Sequence, residues 1–201
     1  MYTDIANTVP LKEHRDSFLH NSSFVTVRMP GGQYSNWADV FQNIQETELE
    51  QHHGHNWTLK IKNDITDDLT SNQRQNGWKI YLSSSYGRFK CSNCHHAWNS
   101  ARVSLTFHYR CTYSAGGEVY LRTYRQKCKN CSSDKMLTAK FEQNEMDQVL
   151  MRLANKIRKN CYNEAISPNT HVSTSKKTKP HEASLCEACM LGKCSRNADI
   201  Y

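Results

Sequence analysis

The 201-residue sequence lacks any run of about 18 apolar residues, so nothing in it reads as a bilayer-spanning helix. It also lacks a secretory leader, since "MYTDIANTVPLKEHRDSFLH" holds no apolar h-region. Apolar residues are scarce, at 37%, and mean hydropathy is −0.79. That supply predicts a modest core held by something besides burial. Enzyme signatures are missing as well. There is no P-loop and no G-x-G-x-x-G. "HEASL" at 181 lacks the second histidine of H-E-x-x-H, and H-x-E with P-C-x-x-C does not occur.

Cysteine, by contrast, is plentiful, with nine residues. The expectation is a cytosolic chain, whose thiols stay reduced, and an odd number fits poorly with a closed disulfide framework. Six of the nine stand in three Cys-x-x-Cys steps: Cys91/Cys94, Cys128/Cys131 and Cys186/Cys189.

Periodicity places these steps. "SNWADVFQNIQETELEQ" sets Trp37, Val40, Phe41 and Ile44 at helical spacing, with Ser35 or Asn36 as cap and "HHGH" as terminator. "NWTLKI" and "GWKIYLS" alternate as strands, separated by a polar loop over 63–76. Val103, Leu105, Phe107 and Tyr109 alternate with Ser104, Thr106, His108 and Arg110, which predicts a half-buried strand. "SAGG" at 114–117 reads as a turn and "EVYLRTYRQ" as the returning strand, so 98–127 is expected to form a long β-hairpin. Over 143–162 the period changes to helical. Met146, Val149, Leu150, Leu153, Ile157 and Cys161 form the stripe, and Asn144 with Asp147 resembles a capping pair.

The expected class is α+β: a zinc-ribbon-like antiparallel sheet with a long hairpin, flanking helices and a small C-terminal zinc-binding tail. The expected organisation is a flexible lead over 1–34, a zinc-binding domain over 35–162, a disordered linker over 163–180 and the tail over 181–201.

Zinc takes four soft ligands at tetrahedral angles, and a two-residue gap lets one tight turn supply two thiolates. The hairpin leaves after Cys94 and returns to Cys128. Cys91, Cys94, Cys128 and Cys131 are therefore expected to form one closed site, with His95 and His96 as exposed neighbours. A thioredoxin-type redox pair would need one step at a helix start, not two steps bracketing a hairpin. In the tail, His181, Cys186, Cys189 and Cys194 follow H-x4-C-x2-C-x4-C, with Cys161 or His171 as rivals for the fourth position. Cys161 also continues the helix stripe as a packed thiol. Cys111 reads as an ordinary strand residue, and His52, His53 and His55 as a solvated loop rather than a third site. Two structural zinc sites with four protein ligands leave no position for a reacting water. The sequence thus points away from an enzyme and from a small-molecule substrate.

Charge is uneven. Residues 74–131 hold ten Lys/Arg against Glu118 alone. A four-thiolate zinc centre, at about −2, offsets part of that excess. Arg88, Lys90, Arg102, Arg110, Arg122, Arg125, Lys127 and Lys129 interleave with Phe89, Trp98, Tyr109, Tyr120 and Tyr124, a pattern suited to RNA through phosphate contact and base stacking. The rival reading puts the alternate aromatics on the core face.

From Trp37 to Cys194 the chain resembles the receptor-transporting proteins, which carry a 3CxxC-type zinc finger. The resemblance rests on "WADVFQ", "WTLKI", "GWKIY", "RFKCSNCHHAWNSARVSLTF", "RQKCKNC", the helix ending near "CY", and "HEASLCEACMLGKC". It implies an accessory chaperone that helps seven-helix receptors of the odorant and taste type reach the cell surface. One branch implies instead an interferon-inducible, RNA-binding antiviral factor. The ligand positions it implies are Cys91, Cys94, Cys128, Cys131, Cys186, Cys189 and Cys194, with His181. Family members often end in a membrane anchor, whereas this sequence stops at Tyr201. The expectation is a cytoplasmic protein peripheral to membranes, either a soluble paralogue or a sequence that continues.

Overall fold

The computed structural model describes residues 36–112, 116–166 and 182–194. The expected lead over 1–34, most of the linker, His171 and His181 lie outside the described residues.

Asn36 opens the first helix as expected, its side-chain oxygen accepting the N–H groups of Ala38 and Asp39. Helix α1 (Trp37–Gln45) runs into a π-helical turn over Glu46–Glu50 and a last turn, α2 (Gln51–His53), that ends on Gly54 at φ 67°. Glycine suits that left-handed terminus because it carries no Cβ. The sheet comprises β1 (Trp57–Ile61), β2 (Lys79–Lys90), β3 (Ala97–Thr112) and β4 (Gly116–Thr123), in the order β1-β4-β3-β2. The β3–β4 hairpin appears as the alternation predicts. Two features differ. β2 extends through Lys90 with a bulge between Ser85 and Gly87, making a second hairpin with β3. β1 joins β4 in parallel, so the sheet is mixed rather than antiparallel. Gly116 and Gly117 of the expected turn already belong to β4. Gly117 faces Trp57 so closely that a Cβ would sit 2.3 Å from its ring.

One face of the sheet carries Trp57, Leu59, Val103, Leu105, Phe107, Tyr109, Val119 and Leu121. It packs under α1 and under α4 (Gln143–Tyr162), which contributes the predicted stripe from Met146 to Cys161. No capping bond comes from Asn144 and Asp147. Glu142 is the N-cap residue, and Asp147 accepts from Gln143 instead.

The other face was expected to be solvated. It is buried too, from Val103 through Tyr109 without a break. The polar stretch 62–70 folds over it, burying Ile65 and Leu69 and leading into a capped helical turn, α3 (Ser71–Gln75). Asp67 accepts hydrogen bonds from Thr106 and from Tyr124 (2.6 Å), while His108 Nε2 donates to Thr66 O at 2.6 Å. Paired in this way, the buried polar groups avoid the cost of losing water.

Candidate metal centre

The first knuckle closes the β2–β3 hairpin. Cys91 N–H donates to His96 O (2.8 Å) and His95 N–H to Cys91 O (3.1 Å), with His95 at φ 58°. The second follows β4. Gln126 exchanges two backbone bonds with Leu137, and its side chain accepts from Trp98 Nε1 (2.9 Å) and donates to Ser100 (3.2 Å). In both knuckles the N–H two residues on reaches the first sulfur at 3.4 Å, Asn93 to Cys91 and Asn130 to Cys128.

The four sulfurs of Cys91, Cys94, Cys128 and Cys131 converge within 4.8 Å, with Cys91–Cys131 at 3.7 Å and Cys94–Cys128 at 3.6 Å. Four Zn–S bonds of about 2.3 Å at tetrahedral angles require S–S separations of about 3.8 Å. The two S–S separations given match that value, so the set fits the shell of a zinc ion. Electrostatics agree. Backbone N–H groups of Cys94 and Asn93 pull the Cys91 thiol down to about 6. The His96 N–H works the same way on Cys94, but lost hydration and the Cys128, Cys91 and Cys131 thiols push it up to about 12. Crowded thiols resist joint ionisation, and a divalent cation removes that conflict. His95 is exposed as expected, whereas His96 is half-buried and stacks on Trp98; neither joins the cluster of ligand atoms.

Cys186, Cys189 and Cys194 form a second cluster within 4.8 Å. Among the described residues no fourth ligand joins it, and the expected fourth, His181, lies outside them. Its rival Cys161 sits in the α4 stripe, buried, its thiol pushed up to about 11 by desolvation. Cys111 is half-buried on β3, with its sulfur 3.9 Å from the Tyr162 hydroxyl. Burial also raises Cys189 to about 12. The cluster lies against the sheet. A 3₁₀ turn (Ala183–Leu185) and α5 (Glu187–Met190) pair with Arg125–Lys127 through Lys127 N to Leu185 O (2.8 Å) and Glu187 N to Arg125 O (3.0 Å). Tyr124 packs against the cysteines.

Two of the three loop histidines are packed rather than solvated. His53 stacks on Tyr162 at 3.6 Å and pairs with Glu164, and His55 reaches the Tyr162 hydroxyl at 3.0 Å. They form no metal cluster among the described residues.

The basic residues that suggested RNA are mostly engaged. Arg88 pairs with Glu142, Lys127 with Asp134 (2.7 Å), Lys129 with Glu182 (3.5 Å), and Arg122 and Arg125 share Glu187 (3.0 and 2.9 Å). Arg110 pairs with Glu118, and Arg102 also has a partner. Lys90 is exposed. Phe89, Tyr109 and Tyr124 are buried, Trp98 lies against Phe89, and Lys62 covers Tyr120 at 3.9 Å. The aromatics thus serve the fold and offer no row of open stacking faces. Glu187 is the residue sequence reasoning missed. An acid between two clustered cysteines was the available signal, because it needs a cation close by.

The model of a 3CxxC zinc-ribbon family, described as a zinc-binding domain, matches residues 84–192, more than half of the chain. The chain belongs to the 3CxxC zinc-binding family of receptor-transporting proteins. It is 33% identical to mouse receptor-transporting protein 3 over 83% of the chain, and 30% identical to human receptor-transporting protein 4 over 80%. Mouse receptor-transporting protein 2 is 30% identical over 78% of the chain. The chain spans 34%, 64% and 68% of those proteins' lengths, respectively. No solved structure matches it. No described helix is long and apolar enough to cross a membrane.

Proposed function

We propose that this protein is a zinc-stabilised, non-enzymatic accessory factor that binds seven-helix membrane receptors of the odorant or taste type and promotes their delivery to the cell surface. The observation that carries this reading is the family membership: the family model's match takes in Cys91, Cys94, Cys128, Cys131, Cys186 and Cys189. The geometry supports it. Four thiolates complete one zinc shell, so the metal's role there is to hold the sheet and not to activate water. Cys91, Cys94, Cys128 and Cys131 are the ligands of the first zinc. Cys186, Cys189 and Cys194, with His181 as the fourth, are the ligands of the second. The protein acts from the cytoplasmic side, peripheral to the membrane. The RNA reading has weaker support, because most of its cations are paired and its aromatics are largely covered.

The test is surface immunostaining of a panel of seven-helix receptors in cells, with and without the full chain. Increased surface delivery of at least one receptor, lost with Cys128→Ser, is the expected result. Unchanged delivery of every receptor would overturn the proposal. A pulldown with and without RNase separates a protein partner from an RNA one.

A further inference from the structure

The chain's formal charge is +7, and acids from 134, 142, 182 and 187 neutralise much of the basic hairpin. A second basic stretch lies elsewhere, on the second half of α4. From Gln148 to Asn163 that helix and its terminus carry Arg152, Lys156, Arg158 and Lys159 and no acid. Arg158 is used internally, bound to Glu48 (2.9 Å) and Glu164 (2.7 Å). Arg152, Lys156 and Lys159 make no ion pair among the described residues. At 3.6 residues per turn they fall within an arc of about 60°. The buried stripe turns the opposite side of the helix to the sheet.

Lys79 extends this surface. It begins β2 opposite Tyr109, whose hydroxyl accepts from Asn160 of α4 at 2.7 Å, so it lies near the helix's C-terminal end. Among the described residues it too makes no ion pair. The nearby acids have partners, Glu46 and Glu50 of the turn packed on α4 accepting from Gln42 and Gln45. Glu164 and Glu48 hold Arg158, and Glu142 holds Arg88. Glu145 and Asp147 stand one to two turns before Arg152, toward Ser85 and Gln143.

We propose that this face of α4, with Lys79, docks on the anionic phospholipid headgroups of a bilayer. Charge complementarity selects an anionic partner, and cations aligned along one helix can meet the headgroups of a bilayer together. The three cations line one side of a single helix, with Lys156 and Lys159 exposed and Arg152 half-buried. The helix's one aromatic, Tyr162, lies against His53 and is not open to stack a base. Each Lys or Arg at an anionic surface contributes about a fivefold gain in affinity. Screening should remove that gain as salt rises. This proposal stands apart from the receptor reading, and either can fail alone.

The test is co-sedimentation of the zinc-loaded full chain with phosphatidylcholine vesicles, with and without phosphatidylserine, at low and high salt. The expected result is binding to the phosphatidylserine vesicles alone, lost at high salt. The triple variant Arg152→Gln, Lys156→Gln, Lys159→Gln should weaken it by about a hundredfold, with an unchanged melting temperature. A control of equal charge change, Lys90→Gln, Lys135→Gln, Lys193→Gln, should retain most of the binding. Absence of vesicle binding at low salt overturns the proposal, as does equal loss in both variants. Binding to single-stranded RNA that the α4 variant abolishes, without vesicle binding, would assign the face to nucleic acid instead.

Discussion

Glu187 and Arg125 are joined through both backbone and side chain. The Glu187 carboxylate accepts from the Arg125 N–H at 2.8 Å and from its guanidinium at 2.9 and 3.2 Å, while Glu187 N–H donates to Arg125 O at 3.0 Å. Arg122 adds a third cationic contact at 3.0 Å, and also reaches Ile65 O in the covering loop at 2.8 Å. Burial opposes ionisation of Glu187, but Arg125 and Arg122 outweigh it and hold the carboxyl below the usual carboxylate range. The segment that presents Cys128 is thus also the ledge on which the tail cluster rests.

Glu187→Ala should release that ledge. It leaves Arg122, 12% exposed, without its anion, a loss of about 2–3 kcal/mol after discounting for the partly exposed Arg125. Hydrogen exchange over 182–194 should rise while exchange in β3 stays slow. Chelator competition should strip the second zinc faster than the first. Uniform exchange in both regions would show that the contact carries no docking energy.

The two clusters differ in what depends on them. Metal analysis of protein purified without chelator should give two zinc per chain, because two thiol clusters stand apart. Cys128→Ser should unfold the sheet, since Cys128 is buried and its cluster ties together the ends of both hairpins. Cys189→Ser should leave the near-ultraviolet spectrum of the sheet aromatics intact and loosen 182–194 alone. A single zinc in the wild-type chain would remove the tail site.

The residues that were legible are those whose partners are local or periodic. The alternation from Val103 to Tyr109, the stripe from Met146 to Cys161 and the paired knuckles are visible in sequence because the spacing is itself the structure. Burial of Ser104, Thr106 and His108 was not visible. It depends on Asp67, which reaches Thr106 and Tyr124 across 39 and 57 positions, and a polar loop gives no sign of such a contact. Neutralisation of the basic hairpin was hidden for a similar reason. Glu142, Glu182 and Glu187 lie beyond the basic window and meet it only in the fold.

Gly117→Ala should destabilise the protein sharply. The added methyl meets the buried Trp57 ring at 2.3 Å, and that ring is fixed by Tyr162, which accepts from its Nε1 at 2.9 Å. Neither side can retreat without opening the β1–β4 pair, so a loss of at least about 2–3 kcal/mol is expected in a denaturant melt. Ser71→Ala, on an exposed helical turn, should change stability by less than about 0.5 kcal/mol in the same melt.

His108 should make stability fall under mildly acidic conditions. It is buried, and desolvation holds its imidazole below the ordinary value of 6.5 despite the Thr66 carbonyl and Asp67. In the unfolded chain the ring takes up a proton as pH drops through 6.5, whereas in the fold it resists until lower pH. Protonation therefore favours the unfolded state between those two values. Above 6.5 the full stability is present, and the loss is complete once pH passes below the folded value. The melting temperature of the zinc-loaded protein should fall as pH is lowered from neutral toward the folded value. His108→Gln, whose amide can still donate to Thr66 O, should show a flatter profile over the same range. Parallel profiles for the two proteins would place the proton uptake on another group.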